Sequence, residues 1–194
     1  HVDSLSAEAK ETNSINTIYC VDGRLIGHNT DIAGFELSIR HCKYNANKKK
    51  ALIIGAGGVV PSIIVALKKM NIEKIFVKNR SENNAINLKK KFPEINLIDW
   101  NKTIDVDMII NATSIGLKKG EKLDIDLKKF GENKFFYDVI YNPKETNFLL
   151  DARKLGNLAE NGKMMFIYQA HQAFSVWHKI FPVIDDEVIG IVEK

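Results

Sequence analysis

The stretch ALIIGAGGVVPSIIVAL, residues 51–67, constrains the fold more than any other part of the chain. Its first four residues are apolar and run into a glycine turn, the pattern of a strand buried on both faces. Gly55, Gly57 and Gly58 follow, and the apolar spacing beyond them is helical. In such a strand–turn–helix unit, glycine permits the tight reversal and lets backbone N–H groups approach a pyrophosphate. The negative charge is favoured at the helix N-terminus. The third position of the dinucleotide fingerprint is Val60 rather than Gly or Ala, which weakens the strict motif but leaves the two phosphate-facing glycines intact. A glycine turn without a ligand is the alternative, and the strand before and helix after weigh against it.

The alternation continues downstream. KIFVK reads as a strand, ENNAINLKKKF as a helix, and INLID, VDMII and FFYDVI as further strands, so the chain is expected to form an α/β domain with a doubly wound parallel sheet and helices on both faces. That domain should run from about residue 44 to about residue 160. At the end of KIFVK stand Asn79, Arg80 and Ser81, where an NAD site wants a carboxylate to accept from the ribose 2′-hydroxyl. A guanidinium beside a hydroxyl instead suits a 2′-phosphate, because Arg presents a planar fork of donors. A plain surface arginine is the bland reading. Asn111, Thr113, Ser114 and Gly116 lie beyond VDMII, and Asp138, Tyr141 and Asn142 beyond FFYDVI, all at the carboxyl edge where open α/β sheets bind ligands. These small polar residues can line a nicotinamide pocket or simply order their loops.

The two ends of the chain read differently. A short helix is expected in SLSAEAKE with Ser4 or Ser6 as its cap, then a hairpin of INTIYCV and RLIGH around Asp22-Gly23. From Thr30 the apolar spacing of Ile32, Phe35, Leu37 and Ile39 is helical. Thr30 and Asp31 both suit a helix start, so residue chemistry alone leans towards a capping role for Asp31. After TNFLLDARKLG, the long helical pattern MMFIYQAHQAFSVWHKI and the final segment DDEVIGIVEK are apolar enough to be packed, with Phe166, Phe174 and Trp177 expected on a buried face. His28, His41, His171 and His178 show no metal-ligand spacing, and no metal site is expected.

Composition narrows the class. Of 194 residues, 45% are hydrophobic and 27% charged, and the formal charge is +4, so an ordinary folded core is expected and a nucleic-acid-binding stripe is not. Cys20 and Cys42 lack metal or redox spacing and suit a reducing cytoplasm. No apolar stretch is long enough to span a membrane, and the polar start has no signal-peptide core. A cytoplasmic protein is expected, with neither nucleic acid nor membrane as a partner.

Several stretches together resemble one family, the shikimate dehydrogenases: INTIYCVDGRLIGHNTDIAGF, ALIIGAGGVV, KNRS, NATSIGL, YDVIYNPKET and GKMMFIYQAHQAF, in family order across almost the whole chain. The resemblance implies a Rossmann-like domain and NADPH-dependent reduction of 3-dehydroshikimate to shikimate in aromatic amino-acid (chorismate) biosynthesis. It implies that Asn16 and Asp31 bind the substrate hydroxyls, Asp31 being also the catalytic carboxylate, and that Tyr141 and Gln169 line the same pocket. It assigns Gly55, Ala56, Gly57, Gly58 and Val59, with Asn79, Arg80 and Ser81, to the phosphates and ribose of NADP, and Val139 and Gly162 to the neighbourhood of the nicotinamide. Two alternatives stay open: a quinate/shikimate dehydrogenase using NAD, and a non-catalytic dinucleotide-binding module.

Two departures from the family matter. Asn84 stands where members often carry a second base, which softens the expected preference for NADP. Members also carry, before the region where this chain starts, strands with a serine pair for the substrate carboxylate and a lysine that partners the aspartate. HVDSLSAEAKE aligns with the helix after that lysine, and Lys10, the only lysine before Asp31, has the wrong spacing. The expectation is a truncated oxidoreductase that is inactive or weakly active. Residues 1–30 would be a remnant of the substrate domain, 31–161 the NADP domain and 162–194 helices returning to the substrate domain. An apolar patch left open by such a remnant would favour a homodimer.

Overall fold

The structure is a computed structural model and describes residues 1–192. In chain order the first elements are β1 (Ser4–Leu5), α1 (Ala7–Thr12), β2 (Thr17–Val21), β3 (Arg24–His28), α2 (Asp31–His41), β4 (Lys50–Ile54), α3 (Val60–Lys69), β5 (Lys74–Lys78) and α4 (Glu82–Lys91). There follow β6 (Asn96–Leu97), β7 (Met108–Asn111), β8 (Phe135–Asp138), α5 (Asn147–Lys154), β9 (Leu158–Glu160), α6 (Lys163–His178) and α7 (Asp186–Ile191). The chain divides into two compact units: His1–Tyr44 with Pro61–Ala66 and Met164–Lys194, and Asn45–Val60 with Leu67–Lys163.

The first unit holds a three-stranded sheet in the order β1-β3-β2. β2 and β3 form the expected hairpin, Val21 opposite Arg24, and the turn residues Asp22 and Gly23 have φ of 49° and 75°. Those paired positive values are what a two-residue turn needs to match the strand twist. Ser6 is the cap of α1, its Oγ accepting from the Ala9 N–H at 3.2 Å, while Ser4 belongs to a strand, parallel to β3, that local patterning did not signal. α2 buries Ile32, Phe35 and Ile39.

Two expectations for the C-terminal helices are corrected. α6 turns Met164, Met165 and Ile167 inward, whereas Phe166, Phe174 and Trp177 are 38%, 40% and 54% exposed. Apolar residues run round most of this helix, so periodicity could not pick its inner face. α7 buries none of its residues, against the expected packing of the last segment; residues 193–194 of that segment lie outside the described residues.

The second unit is a six-stranded parallel sheet in the order β6-β5-β4-β7-β8-β9. Renumbered from β4, this is the 3-2-1-4-5-6 order of doubly wound nucleotide-binding sheets, with its switch point between β4 and β7. β9 was not expected from the sequence, and INLID contributes only the two residues of β6. A core of Leu52, Ile54, Ile109, Phe136, Phe148 and Leu149 covers one sheet face. At about 1.5–3 kcal/mol per buried side chain, such a cluster is a principal stabiliser. The same unit contains a buried lysine. Lys78 is 2% exposed at the end of β5, its ammonium donates to the Lys102 carbonyl, and burial together with Lys129 lowers its pKa. Among the described residues no helix is long and apolar enough to cross a membrane.

Candidate active site

In the first unit the site is built at the start of α2. Its leading N–H groups need acceptors, and Asn29 supplies one: its Oδ1 takes the N–H of Asp31 at 3.0 Å and of Ile32 at 3.3 Å. Thr30 makes no side-chain cap bond. Asn29 is itself fixed by donating to Thr12 Oγ1, Ser14 O and Ser62 Oγ, at 3.3, 3.3 and 3.1 Å. The carboxylate of Asp31 is therefore released from capping. Its Oδ1 accepts from Asn16 Nδ2 at 2.9 Å, and among the described residues its Oδ2 accepts nothing.

Asn16 is held in turn by its own Oδ1, which accepts from the Thr30 N–H at 3.0 Å and from Thr30 Oγ1 at 3.2 Å. The structure thus brings Asn16 and Asp31 together across the junction of the hairpin and α2. Gln169 lies against the same helix, since a Cβ added at Gly34 would stand 2.8 Å from Gln169 Cβ. Only glycine allows α6 so near the turn that follows Asp31. Gln169 Nε2 donates to Phe166 O at 3.0 Å within its own helix.

Burial pushes the carboxyl of Asp31 above its ordinary value, and the Asn16 hydrogen bond opposes this; no cation contributes. Because the folded-state pKa is raised, the associated stability is present below the unfolded carboxylate pKa and lost as pH rises through the folded one. Asp31→Asn keeps an acceptor for Asn16 but removes the desolvated charge. Its Tm is expected to exceed the wild-type Tm at pH 7, with the difference shrinking as pH falls towards 4, a trend that thermal melts across this range would check. A mutant less stable than the wild type at pH 7 would show that the carboxylate holds the fold together.

In the second unit the glycine loop joins β4 to α3 at the switch point. Gly55 has φ of 119°, and a Cβ there would lie 2.7 Å from the carbonyl of Ala112, just past the end of β7, so glycine is a steric necessity at this position. Gly57 and Gly58 are different: added Cβ atoms would meet nothing within 4 Å. Open space over two glycines at the N-terminus of a helix fits a pyrophosphate; Ala56 and Val59 complete the loop.

Beside it, Asn79, Arg80 and Ser81 line a cleft of about 390 Å³ with Asn84, Trp100, Thr113 and Ser114. This volume lies within the range of small-molecule pockets. Arg80 is exposed and, among the described residues, makes no ion pair. An unengaged guanidinium, a hydroxyl and a flat indole suit a phosphorylated adenosine.

Asn111 and Asp138 are both wholly buried and work inside the protein rather than lining a nicotinamide pocket. Asp138 accepts from Asn111 Nδ2 at 3.0 Å, the Ile140 N–H at 3.1 Å and Thr146 Oγ1 at 2.6 Å. Asn111 Oδ1 accepts from the N–H and Oγ1 of Thr113 at 3.1 and 2.7 Å. One hub therefore shapes the loops after β7 and β8 and sets Val139 and Tyr141, the latter 39% exposed. Gly162 donates its N–H to Ile140 O at 3.1 Å, and a Cβ there would sit 2.1 Å from the Val139 carbonyl oxygen.

Sequence reasoning missed Asn29 as the cap, Trp100 as a pocket wall, and Lys122 and Asp124 on the same cleft. Asn29 carried a signal, an Asn just ahead of the helix start. The other three reach the cleft through loops whose paths are not local in sequence.

Comparisons with known proteins agree with this geometry. The family described as shikimate / quinate 5-dehydrogenase matches residues 36–143. A shikimate dehydrogenase (NADP(+)) of Pelagibacter ubique is 59% identical over 99% of this chain and 72% of its own length. One from Caldicellulosiruptor saccharolyticus is 33% identical over 99% of this chain and 72% of its own. Among solved structures, the shikimate 5-dehydrogenase of Thermus thermophilus in complex with NADP(H) and shikimate superposes with a TM-score of 0.88 at 29% identity, over 99% of this chain and 72% of that one. With a family match over more than half of the chain and relatives this similar along almost its whole length, the chain belongs to the shikimate / quinate 5-dehydrogenase family.

Proposed function

We propose that the chain carries out NADPH-linked reduction of 3-dehydroshikimate to shikimate. The observation that carries this reading is the Asp31 carboxylate, freed from capping by Asn29, fixed at one oxygen by Asn16 and open at the other. Relatives named as NADP(+) shikimate dehydrogenases, and a neighbour holding NADP(H) and shikimate, support it.

Bound NADPH supplies the hydride. Gly55 to Val59 would hold its pyrophosphate, Asn79 to Ser81 its adenosine ribose and 2′-phosphate, and the backbone at Val139 and Gly162 would flank the nicotinamide. Asn16 orients Asp31 and would meet a substrate hydroxyl, with Gln169 of the same unit as a further hydrogen-bonding group; for Tyr141 that role is implied by the family resemblance alone. Reduction of a ketone leaves charge on oxygen, so a proton must arrive there. The open Oδ2 of Asp31 is the atom that would pass this proton to the substrate oxygen, and burial shifts the carboxyl in the direction that favours proton uptake, against the pull of the Asn16 hydrogen bond. A protein partner that sharpened this transfer would be a cation beside the carboxylate, but among the described residues no lysine pairs with Asp31. Turnover by these 194 residues is accordingly expected to be slow. Family-like steady-state rates from this polypeptide would refute that part of the reading.

Coenzyme choice tests the assignment of the second unit. A bidentate guanidinium–phosphate contact contributes about 1.5–3 kcal/mol, or roughly 10- to 100-fold in affinity. Calorimetric titration should show wild-type protein preferring NADPH to NADH. Arg80→Met should lose about that factor for NADPH, with NADH within about twofold. Equal binding of both coenzymes by wild type and mutant would remove the case for NADPH.

A further inference from the structure

The cleft beside Arg80 has two more charged side chains on its wall, Lys122 and Asp124, contributed by the segment that follows β7. Their signs matter. A phosphate monoester carries close to two negative charges at neutral pH. Arg80 offers one positive charge and Asp124 cancels one, while Asn84 on α4 is neutral. Without Lys122 the charges on the wall sum to zero, so Asp124 offsets part of the attraction that Arg80 has for a dianion.

Lys122 is placed to change partners. Its ammonium lies 2.6 Å from Asp151 Oδ2, and the lysine also borders a second hollow of about 300 Å³ lined by Asp126, Lys128, Asp151 and Lys154. The pair is solvent-exposed on the lysine side, so separating it costs little. Asp151 also keeps a second cation, Lys154 at 3.7 Å, when Lys122 departs. A flexible four-carbon stem with one hydrated charge suits such an exchange.

We propose that Lys122 is the second cation of the coenzyme-discriminating pocket, leaving Asp151 to bind the adenosine 2′-phosphate and outweighing Asp124. The inference rests on the NADPH reading above and names a specificity-determining residue within it.

The probes are adenosine 2′,5′-bisphosphate and 5′-AMP, which differ only in the 2′-phosphate, titrated calorimetrically into wild-type, Lys122→Met, Asp124→Asn and Arg80→Met proteins. Lys122→Met should weaken the bisphosphate about 5- to 10-fold, a partly exposed ion pair being weaker than the Arg80 contact, and leave 5′-AMP unchanged. Asp124→Asn should tighten the bisphosphate alone. Melting curves should match the wild type for both variants, because neither side chain is buried. If Arg80→Met weakens the bisphosphate while Lys122→Met does not, the proposal falls and the coenzyme reading stands. If wild-type protein fails to distinguish the two nucleotides, both fall.

Discussion

Asp138→Ala is expected to cost about 3–5 kcal/mol of stability, because it strips a wholly buried acceptor from three donors at once. For a chain of this size that corresponds to a fall in Tm of roughly 8–15 °C. The loss would not stay local. Asn111 Nδ2, the Ile140 N–H and Thr146 Oγ1 all end on this carboxylate, and Thr146 also caps α5 through the Leu149 N–H. With the hub gone, the loops after β7 and β8 lose their common anchor, so Tyr141 and the backbone at Val139 should become mobile.

Asp138→Asn separates size from charge. Its remaining oxygen can accept from Asn111 and Ile140, and the Thr146 hydroxyl can turn to accept from the new amide, so the cost should drop to about 1–2 kcal/mol. Chemical denaturation of both variants checks the ordering. Equal losses would mean that the hydrogen bonds to Asp138 contribute little. Burial raises the pKa of Asp138 against the opposing pull of its three hydrogen bonds, so its contribution to stability also declines as pH rises through the folded value.

What could be read from the sequence was local. The Asp22-Gly23 turn, the glycine loop before α3 and the alternation from Lys50 carry their signals within a few residues, and the hairpin and parallel sheet follow from them. Features that depend on distant segments were not legible. β9 exists because Leu158–Glu160 finds an open edge on β8, and the burial of Lys78 depends on a carbonyl 24 residues away. In α6, apolar residues on most sides left the inner face undetermined until Met164, Met165 and Ile167 met their neighbours.

The candidate site divides the same way. Arg80 was legible because the fold gives its position a meaning. Asp31 was not, since residue types alone suit a cap there. Family resemblance pointed the other way, and the physical reason appears only in three dimensions: Asn29 occupies the cap, so Asp31 need not. Lys122 left no trace in sequence, because its place on the cleft depends on the path of the loop between β7 and β8.

Asp31→Asn is expected to slow ketone reduction by at least about 100-fold, the lower bound of what a positioned proton donor contributes. The substitution preserves shape and an acceptor for Asn16 but can neither give nor take the proton. It lies outside the unit that holds the glycine loop and Arg80, so coenzyme affinity should not change. The decisive measurement is the single-turnover rate of NADPH oxidation at 340 nm with 3-dehydroshikimate, protein in excess so that slow chemistry is visible, for wild type and Asp31→Asn. Oxidation by the wild type, nearly lost in a mutant that binds NADPH normally and melts no lower at pH 7, is the predicted result. Equal rates of oxidation in the two proteins would contradict the assignment of this carboxylate as the proton-transfer group.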